Sequence, residues 1–268
     1  AAARRAVQRL TSGQAHFTGR DLLRHTAEEC QWLGLGADAA RDATKRYLNH
    51  SDLVAVGEHQ HETIYSTKAM LQLETEMLKR AGRSAGSRDH VVSNRIVERV
   101  LRRHADLSEE QREAIRHITH EAGSVKMVDG LAGTGKTTML RVAREVWEEA
   151  GYKVVGAAVS GKAARGLEEG AGIQSTTVAS LRYHLDPSLR DQVKHHLRQL
   201  GRAALGKPTW KLGQHPLAFD SETVVVIDEA SMLGSDDLAW LVAECDRKGA
   251  KLNLNGDRAQ LAAISAGG

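Results

Sequence analysis

Short apolar runs alternate with helical patterns through the second part of the chain. Three runs rich in valine and isoleucine, at 125–128, 154–159 and 224–227, have the length and composition of buried strands. A weaker fourth strand is predicted at 251–255, and residues 136–150 carry apolar positions at helical spacing. Strands that alternate with helices predict right-handed crossovers and an α/β fold with a mostly parallel sheet.

The first part of the chain has a different order of patterns: helix, helix, hairpin, helix. Thr18 is a suitable N-cap for the first of these helices, and a second helix is predicted from about 38 to 48. Two β-rich runs, at 53–56 and 63–65, flank a polar turn and predict a hairpin. This order predicts a small α+β domain of winged-helix-like type.

A stretch rich in glycine, serine and arginine separates the two patterns. Residues 81–88 have the sequence AGRSAGSR, which disfavours a regular helix and predicts a linker or mobile loop. We therefore predict an accessory domain at 1–80, a linker with a connecting helix at 81–106, and a larger domain at 107–268.

The composition is that of a globular protein. Hydrophobic residues make up 41% and charged residues 26% of the 268 residues. No apolar run approaches the roughly 18–20 residues that span a bilayer, so the sequence predicts no membrane insertion. Cys30 and Cys245 lie far apart among polar residues, which indicates free thiols in a reducing, cytoplasmic compartment.

The formal net charge of +3 is small but unevenly distributed. Residues 1–108 hold 17 lysines and arginines against 13 acidic residues, whereas the rest of the chain holds 20 against 21. The mildly basic first part permits contact with nucleic acid and fits ordinary solvated helix faces equally well. The basic segment at about 184–220 is open to both interpretations too, as an insertion that touches DNA or a partner or as a solvated helical excursion.

The strongest motif is GLAGTGKT at 130–137, which fits the phosphate-loop pattern G-x-x-x-x-G-K-[ST] between a predicted strand and a predicted helix. Its glycines let backbone N–H groups turn towards phosphate oxygens, and the helix N-terminus adds a favourable dipole. Lys136 can reach the terminal phosphates, the Thr137 hydroxyl can bind Mg²⁺, and Thr138 extends the polar rim. The other residues assigned to the nucleotide from this motif are Gly130, Ala132, Gly133, Thr134 and Gly135.

A second motif closes the strand at 224–227 with Asp228 and Glu229. Ligands collect at the carboxyl edge of parallel sheets, where these two carboxylates are expected to lie. We expect Asp228 to hold the Mg²⁺ shell and Glu229 to orient or deprotonate the attacking water. Adjacent carboxylates after a strand also occur in plain turns, but together with the phosphate loop they indicate nucleoside-triphosphate hydrolysis.

Several shorter motifs occur in the order found in superfamily 1 DNA helicases. Residues 107–115 resemble the glutamine motif that reads adenine, and residues 256–261 resemble the G-D-x-x-Q-L motif. Residues 158–164 and 175–181 resemble segments that contact single-stranded DNA in RecD-like helicases. Each match is short, and it is their common order that makes the signal strong.

This resemblance implies roles for further residues. Gln111 would recognise adenine through its side-chain amide, which can both donate and accept. Gln260 would sense the γ-phosphate, and it joins Lys136 and Glu229 as a candidate catalytic residue. The residues implied to bind DNA are Ser160, Gly161, Lys162, Thr176 and Thr177.

The resemblance extends to a particular group of helicases. Residues 107–268 look like the first motor domain of MobF-type conjugative relaxase–helicases, which include TraA- and TraI-like proteins. Segments at 17–22 and 65–70 resemble the accessory region between relaxase and motor in that family. The resemblance implies a RecA-like P-loop domain that uses ATP and Mg²⁺ to move along single-stranded DNA, 5′ to 3′, during transfer of a bacterial plasmid.

In that family a relaxase domain precedes such a motor and a second RecA-like motor domain follows it. Both would be partners within a longer parent chain, and the second would supply an arginine worth about 10³–10⁵ in rate. We therefore expect the 268-residue chain to bind ATP·Mg²⁺, to hydrolyse it slowly and not to unwind DNA alone. Asn253 and Asn255 depart from the apolar pattern expected of this strand and would need buried hydrogen-bond partners.

Two other functions are compatible with the sequence. A RecD-like repair helicase would carry the same motor motifs, and a tyrosine relaxase upstream would distinguish conjugation from repair. A DNA-binding or recruitment module could retain a nucleotide pocket without productive turnover. The intact set of Lys136, Thr137, Asp228 and Glu229 argues against that second alternative.

Overall fold

The computed structural model describes residues 1–11, 13–130, 135–185 and 219–256. The chain divides into two compact units. One comprises Ala1–Lys79 with Gly234–Trp240, and the other comprises Arg80–Leu233 with Leu241–Gly268.

The first unit begins with helices and a small antiparallel sheet. Its elements are α1 (Ala2–Thr11), β1 (Phe17–Thr18), α2 (Gly19–Trp32), α3 (Ala37–Leu48), β2 (Leu53–His59), β3 (Glu62–Thr67) and the start of α4 (Lys68–Arg83). The three strands pair in the order β1–β3–β2. The three predicted helices, found as α2, α3 and α4, and the predicted hairpin are confirmed.

The start of α2 shows why the sequence encodes this boundary. The Thr18 hydroxyl accepts a hydrogen bond from the Asp21 backbone N–H at 3.2 Å, and the Asp21 carboxylate accepts one from the Thr18 N–H at 2.9 Å. This capping box satisfies two donors that the helix cannot satisfy itself. The unit's apolar centre is formed by Ala6, Val7, Leu10, Phe17 and Leu22.

The second unit is an α/β layer structure. Its elements are α5 (Asn94–Arg103), α6 (Glu109–Thr119), β4 (Val125–Asp129), α7 (Lys136–Glu149), β5 (Lys153–Ala158), α8 (Gly161–Ala171), β6 (Ser175–Thr177), α9 (Val178–Leu185), β7 (Thr223–Asp228), a 3₁₀ turn (Ala230–Met232), the second part of α10 (Ser235–Lys248) and β8 (Lys251–Gly256). The strands form a parallel sheet in the order β4–β8–β7–β5–β6. This confirms the RecA-like P-loop α/β fold with a mostly parallel sheet.

The central strand of this sheet is buried on both faces. Every residue of β7 from Thr223 to Ile227 is buried, as expected of a strand covered by helices on both sides. Against one face lies a core that includes Val146 and Trp147 of α7 and Ile115 of α6. Trp147 is therefore a packing residue.

β4 differs from the fully buried strand that its apolar residues predict. It forms one edge of the sheet as described and pairs with β8, and the side chain of Met127 is 57% exposed. A short valine-rich run cannot distinguish an edge strand from a central one, because strand order depends on the crossovers and not on the strand itself.

The segment predicted as a linker lies within the second unit and is hydrogen-bonded to the residues before β4. α4 continues to Arg83, three residues into that segment. The Ser84 carbonyl then accepts from the Ser124 N–H at 3.2 Å, and the Ser87 carbonyl accepts from the Gly123 N–H at 2.7 Å. The glycine-rich segment is therefore held against the residues before β4 by backbone hydrogen bonds.

β8 is a buried strand despite its two asparagines. Asn253 and Asn255 are fully buried. The Asn255 side-chain amide donates to the Ile227 carbonyl at 3.1 Å, and the Asn253 amide donates to the Asn255 side-chain oxygen at 3.3 Å. β7 and the pair itself thus supply partners for both side-chain amide groups, whereas the Asn253 side-chain oxygen is buried without a partner among the described residues.

The sequence also led to expectations about the two cysteines and about membrane-spanning helices. Cys30 and Cys245 are both free and buried. Among the helices of the described ranges, none combines the length and the apolar character needed to cross a membrane. Most of the basic segment at 184–220 lies outside the described residues.

Candidate nucleotide-binding site

The described residues of the phosphate loop and those of the acidic motif meet at the carboxyl edge of the parallel sheet. Asp129 at the end of β4 pairs with Gly256 at the end of β8. The Gly130 N–H donates to the Gly256 carbonyl at 3.2 Å, which closes the two strands together where the phosphate loop begins. The strand pairing therefore fixes the base of the loop.

Lys136 extends across this base. Its ammonium group donates to the Gly256 carbonyl at 3.3 Å and to the carbonyl of Gly130. The residue is the first of α7, and Gly135 before it has φ = 77°, a left-handed conformation that favours glycine. The turn at Gly135 thus directs Lys136 back over the end of the sheet, next to the position expected for phosphate oxygens.

Asp228 ends β7 at the same edge, half-buried. Burial raises the pKa of its carboxyl group, while the Glu229 N–H and the positive charge of Lys136 act in the opposite direction. The N–H of Glu229 donates to the Asp228 carboxylate at 3.0 Å. Asp228 and Lys136 therefore lie close enough to interact electrostatically, although they are 92 positions apart in the sequence.

Glu229 adopts an unusual backbone conformation. Its φ of 53° lies in the left-handed region, which costs energy for a residue other than glycine. Its carbonyl accepts from the Met232 N–H at 2.9 Å and so begins the 3₁₀ turn. Strained residues of this kind are concentrated at functional sites, and here the strain turns the chain sharply after Asp228.

Gln111 is positioned by two hydrogen bonds near the phosphate loop. Its side-chain oxygen accepts from the Ser108 N–H at 3.0 Å, completing a capping box at the start of α6. Its amide nitrogen donates to the Gly135 carbonyl at 3.5 Å. The side chain therefore joins the start of α6 to the start of α7, which the sequence alone did not indicate.

Thr137 and Thr138 follow Lys136 on the first turn of α7. Thr137 is exposed and Thr138 is half-buried. The Thr137 side chain also approaches α8, because a Cβ added at Gly170 would overlap its methyl group. Ala132, Gly133, Thr134 and Gln260 lie outside the described residues, so their roles rest on the sequence.

The residues expected to contact DNA begin at the ends of two neighbouring strands. Ala158 of β5 is paired with Thr177 of β6. Ser160, Gly161 and Lys162, which follow β5, are exposed. Thr176 and Thr177, at the end of β6, are half-buried. All five residues therefore lie at or just beyond the edge of the sheet at which Asp228 lies.

Two hydroxyl groups in this set have structural partners. The Ser160 hydroxyl accepts from the Ala163 N–H at 3.1 Å and caps α8. The Thr177 hydroxyl accepts from the Ser180 N–H at 3.1 Å in the first turn of α9. Both hydroxyls can donate to a further acceptor such as a phosphate oxygen, since each uses only a lone pair in its cap.

Ser231 is a polar residue of this region that sequence reasoning did not assign. Its hydroxyl oxygen is buried and has no hydrogen-bond partner among the described residues. A Cβ added at Gly256 would lie 3.4 Å from the Ser231 Cβ, so the acidic segment packs closely on the end of β8. The signal in the sequence is a hydroxyl residue directly after the Asp-Glu-Ala run, with no spacing rule to interpret it.

The donor set suits ATP with Mg²⁺. Magnesium prefers oxygen ligands and is commonly held by one or two carboxylates together with substrate phosphates. Asp228 and Thr137 supply such oxygens, and Lys136 with the N-terminus of α7 supplies positive charge for phosphates. Within the described ranges no three histidine, cysteine, aspartate or glutamate residues gather as a metal site of their own. The residues therefore fit a metal that shares its ligands with a nucleotide.

Comparison with known proteins agrees with this geometry. Residues 106–268 match the family described as AAA domain. The chain is 42% identical over 203 residues to the conjugal transfer protein TraA of Rhizobium radiobacter, 40% identical to a probable conjugal transfer protein TraA of Sinorhizobium fredii, and 41% identical to the conjugal transfer protein TraA of Agrobacterium fabrum. Each alignment covers 76% of this chain and 16% of the relative. The chain thus corresponds to a small part of these proteins.

Proposed function

The chain belongs to the AAA domain family, and on that premise we propose that it binds ATP and Mg²⁺ at the carboxyl edge of its parallel sheet and hydrolyses ATP. One observation carries this proposal. Lys136 from the phosphate loop, Asp228 from the acidic motif and Gly256 at the end of β8 converge at one edge. This is the edge at which open α/β sheets bind ligands.

Each residue then has a defined task. Lys136 binds the terminal phosphates after leaving its carbonyl acceptors, because phosphate oxygens carry charge and carbonyl oxygens do not. Thr137 and Asp228 hold Mg²⁺, which when bound neutralises negative charge on the phosphates. Glu229 orients and deprotonates the attacking water, and its left-handed backbone directs it away from the strand. Gln111 recognises adenine, and Gln260 senses the γ-phosphate.

Single-stranded DNA is the proposed second ligand. Ser160, Gly161 and Lys162 lie at the start of α8, whose N-terminal N–H groups and exposed lysine can bind backbone phosphates. Thr176 and Thr177 leave the neighbouring strand at the same edge. DNA and ATP would therefore bind along one edge of one sheet.

The similarity to conjugal transfer proteins gives the proposed context. We propose that the chain is the first motor domain of a plasmid-encoded bacterial relaxase–helicase that moves along DNA 5′ to 3′. Its partners would be a relaxase domain and a second RecA-like motor domain. A role in RecD-like repair receives no support from the names of these relatives.

Lys136→Ala tests the nucleotide site directly. Loss of the charged hydrogen bonds to phosphate is expected to weaken binding of ATP·Mg²⁺ by about 10–100-fold. Binding is measured by isothermal titration calorimetry, with Lys79→Ala, an exposed lysine of α4, as the matched control. Equal affinities of Lys136→Ala and the wild type would contradict the proposed site.

Turnover distinguishes the motor from its alternative. ATP hydrolysis is measured with and without single-stranded DNA for this chain and for one extended through the second motor domain. Turnover that DNA stimulates in the extended protein and that Lys136→Ala abolishes is the expected result. Binding of ATP and DNA with no turnover in either protein would favour a DNA-binding module that retains a nucleotide pocket.

A further inference from the structure

α8 packs on the first turn of α7 at a glycine. A Cβ built on Gly170 would overlap the Cγ2 methyl of Thr137 and would lie 3.7 Å from the Thr137 Cβ. Gly170 lies within α8 and does not have the positive φ that requires glycine. Alanine is the better helix former, so the helical backbone does not explain the glycine. The glycine is explained by its contact with Thr137, because a side chain at position 170 would occupy the place of the Thr137 methyl group.

We infer that Gly170 is a positioning residue for the hydroxyl group of Thr137. The inference rests on the proposed function, in which that hydroxyl binds Mg²⁺. The methyl and the hydroxyl of threonine share one Cβ atom, so they turn together about the Cα–Cβ bond. A side chain at position 170 would force the methyl away, and the hydroxyl would leave its place as well.

The alternative response to a side chain at position 170 would be separation of the two helices. That response is costly, because α8 is also held to α7 beyond this point. The Arg144 guanidinium donates to the Gly172 carbonyl at 2.8 Å. Leu167 and Ala171 of α8 are buried in the same core as Val142 and Ala143 of α7. Rotation of Thr137 is therefore the easier movement.

α8 supplies its own control. Gly166 is in the same helix, and a Cβ added there meets nothing within 4 Å. Gly166→Ala and Gly170→Ala increase helix propensity alike, and they differ in whether the new methyl touches Thr137. A difference between the two variants therefore reports the contact and not the backbone.

The test measures the affinity for a fluorescent ATP derivative in excess Mg²⁺ and in EDTA. Gly170→Ala is expected to weaken binding about tenfold in Mg²⁺, the size found when residues that orient metal ligands are changed. It is expected to leave binding in EDTA unchanged, and Gly166→Ala is expected to match the wild type in both. A structural defect would lower the affinity equally in both conditions.

A second arm removes the methyl that causes the overlap. Thr137→Ser keeps the hydroxyl and lacks Cγ2, so Gly170→Ala in the Thr137→Ser background should change the affinity by no more than about twofold relative to Thr137→Ser. An equal loss in both backgrounds, or a loss that does not depend on Mg²⁺, would overturn the inference.

Folding is followed by circular dichroism for each variant. If Gly170→Ala alone fails to fold, Gly170→Ala combined with Thr137→Ser must fold as well as Thr137→Ser does, because the overlap is then gone. Failure of that double variant would also overturn the inference. A wild-type chain with no Mg²⁺-dependent nucleotide binding would be a different result, since it would refute the proposed function on which the inference rests.

Discussion

At the scale of single residues, Ser231 carries a buried hydroxyl that has no partner among the described residues. Its hydroxyl oxygen is buried beside Gly256 and makes no hydrogen bond within the described part of the chain. Buried polar groups are nearly always paired, so an exception close to a proposed ligand site needs a reason. We predict that the Ser231 hydroxyl gains its partner only when a ligand binds and that it destabilises the protein without nucleotide.

Ser231→Ala should consequently stabilise the protein without nucleotide. Removal of a buried, unpaired hydroxyl is expected to raise the free energy of unfolding by about 1 kcal/mol. The value is obtained from urea denaturation without nucleotide. Ser160→Ala is the contrasting variant, since it removes a helix cap and should lower the same quantity by about 1 kcal/mol. Destabilisation by Ser231→Ala would show that the hydroxyl is already satisfied.

Gln111 shows how far a motif could be interpreted at this scale. The pattern Ser108-x-x-Gln111 before an apolar run is a recognisable capping box, and the structure contains it. The second bond, from the Gln111 amide to the Gly135 carbonyl, joins residues 24 positions apart and has no local signature. The role in reading adenine remains a prediction.

At the scale of elements, β8 shows how a strand can contain two asparagines. Asn253 and Asn255 lie two positions apart, and their side chains are hydrogen-bonded to each other. Asn255 also donates to the Ile227 carbonyl of β7. The pair is therefore one polar unit within an apolar sheet, and its members should not contribute independently to stability.

Asn255→Val is expected to destabilise the protein more when it is made alone than when it is combined with Asn253→Val. The single change leaves the buried amide of Asn253 without an acceptor and should lower the free energy of unfolding by about 2 kcal/mol. Adding Asn253→Val removes that unpaired group, so the double variant should regain about 1 kcal/mol. Guanidinium denaturation of the wild type, both single variants and the double variant gives the coupling energy. Strictly additive losses would mean that the two side chains act separately.

At the scale of the whole molecule, Lys251 is a lysine buried where β8 begins. Its side chain is fully buried, and its ammonium group donates to the Gly123 carbonyl at 3.0 Å. Burial lowers the pKa of Lys251 from 10.5 to about 8, and the charge of Lys126 acts in the same direction. Because the unfolded lysine keeps its ordinary pKa, the unfolded chain binds more protons than the folded chain between these two values.

The stability of the protein should therefore rise with pH in this window through Lys251. From pH 8 to 10 the free energy of unfolding of the wild type should rise relative to that of Lys251→Met by up to about 1.4 kcal/mol per pH unit. The buried Cys245 thiol has a raised pKa and acts in the opposite direction, but it is common to both proteins and cancels in the difference.

Thermal or urea unfolding across this pH range measures that difference. Lys79→Met, at an exposed position, serves as the control and should show no pH-dependent difference from the wild type. A constant difference between the wild type and Lys251→Met would show that the folded protein keeps Lys251 charged throughout.

Several features were determined by the sequence by itself. The alternation of strands and helices predicted a mostly parallel sheet, and the motifs at 130–137 and 228–229 predicted a site at its carboxyl edge. The sheet is confirmed because its prediction depends on a local pattern, the periodicity of apolar residues, and the site prediction depends on glycine spacing and on charge directly after a strand. The roles of single residues at the site stay predictions.

Only the tertiary structure decided which of these pieces touch. It placed β4 at an edge, joined the supposed linker to the residues before β4, and set Gly170 against Thr137. It also supplied the buried partner of Asn255 and left the Ser231 hydroxyl without one among the described residues. These are contacts between segments distant in sequence, which depend on strand order and helix packing. The residues that form them carry no local pattern from which their partners could have been identified.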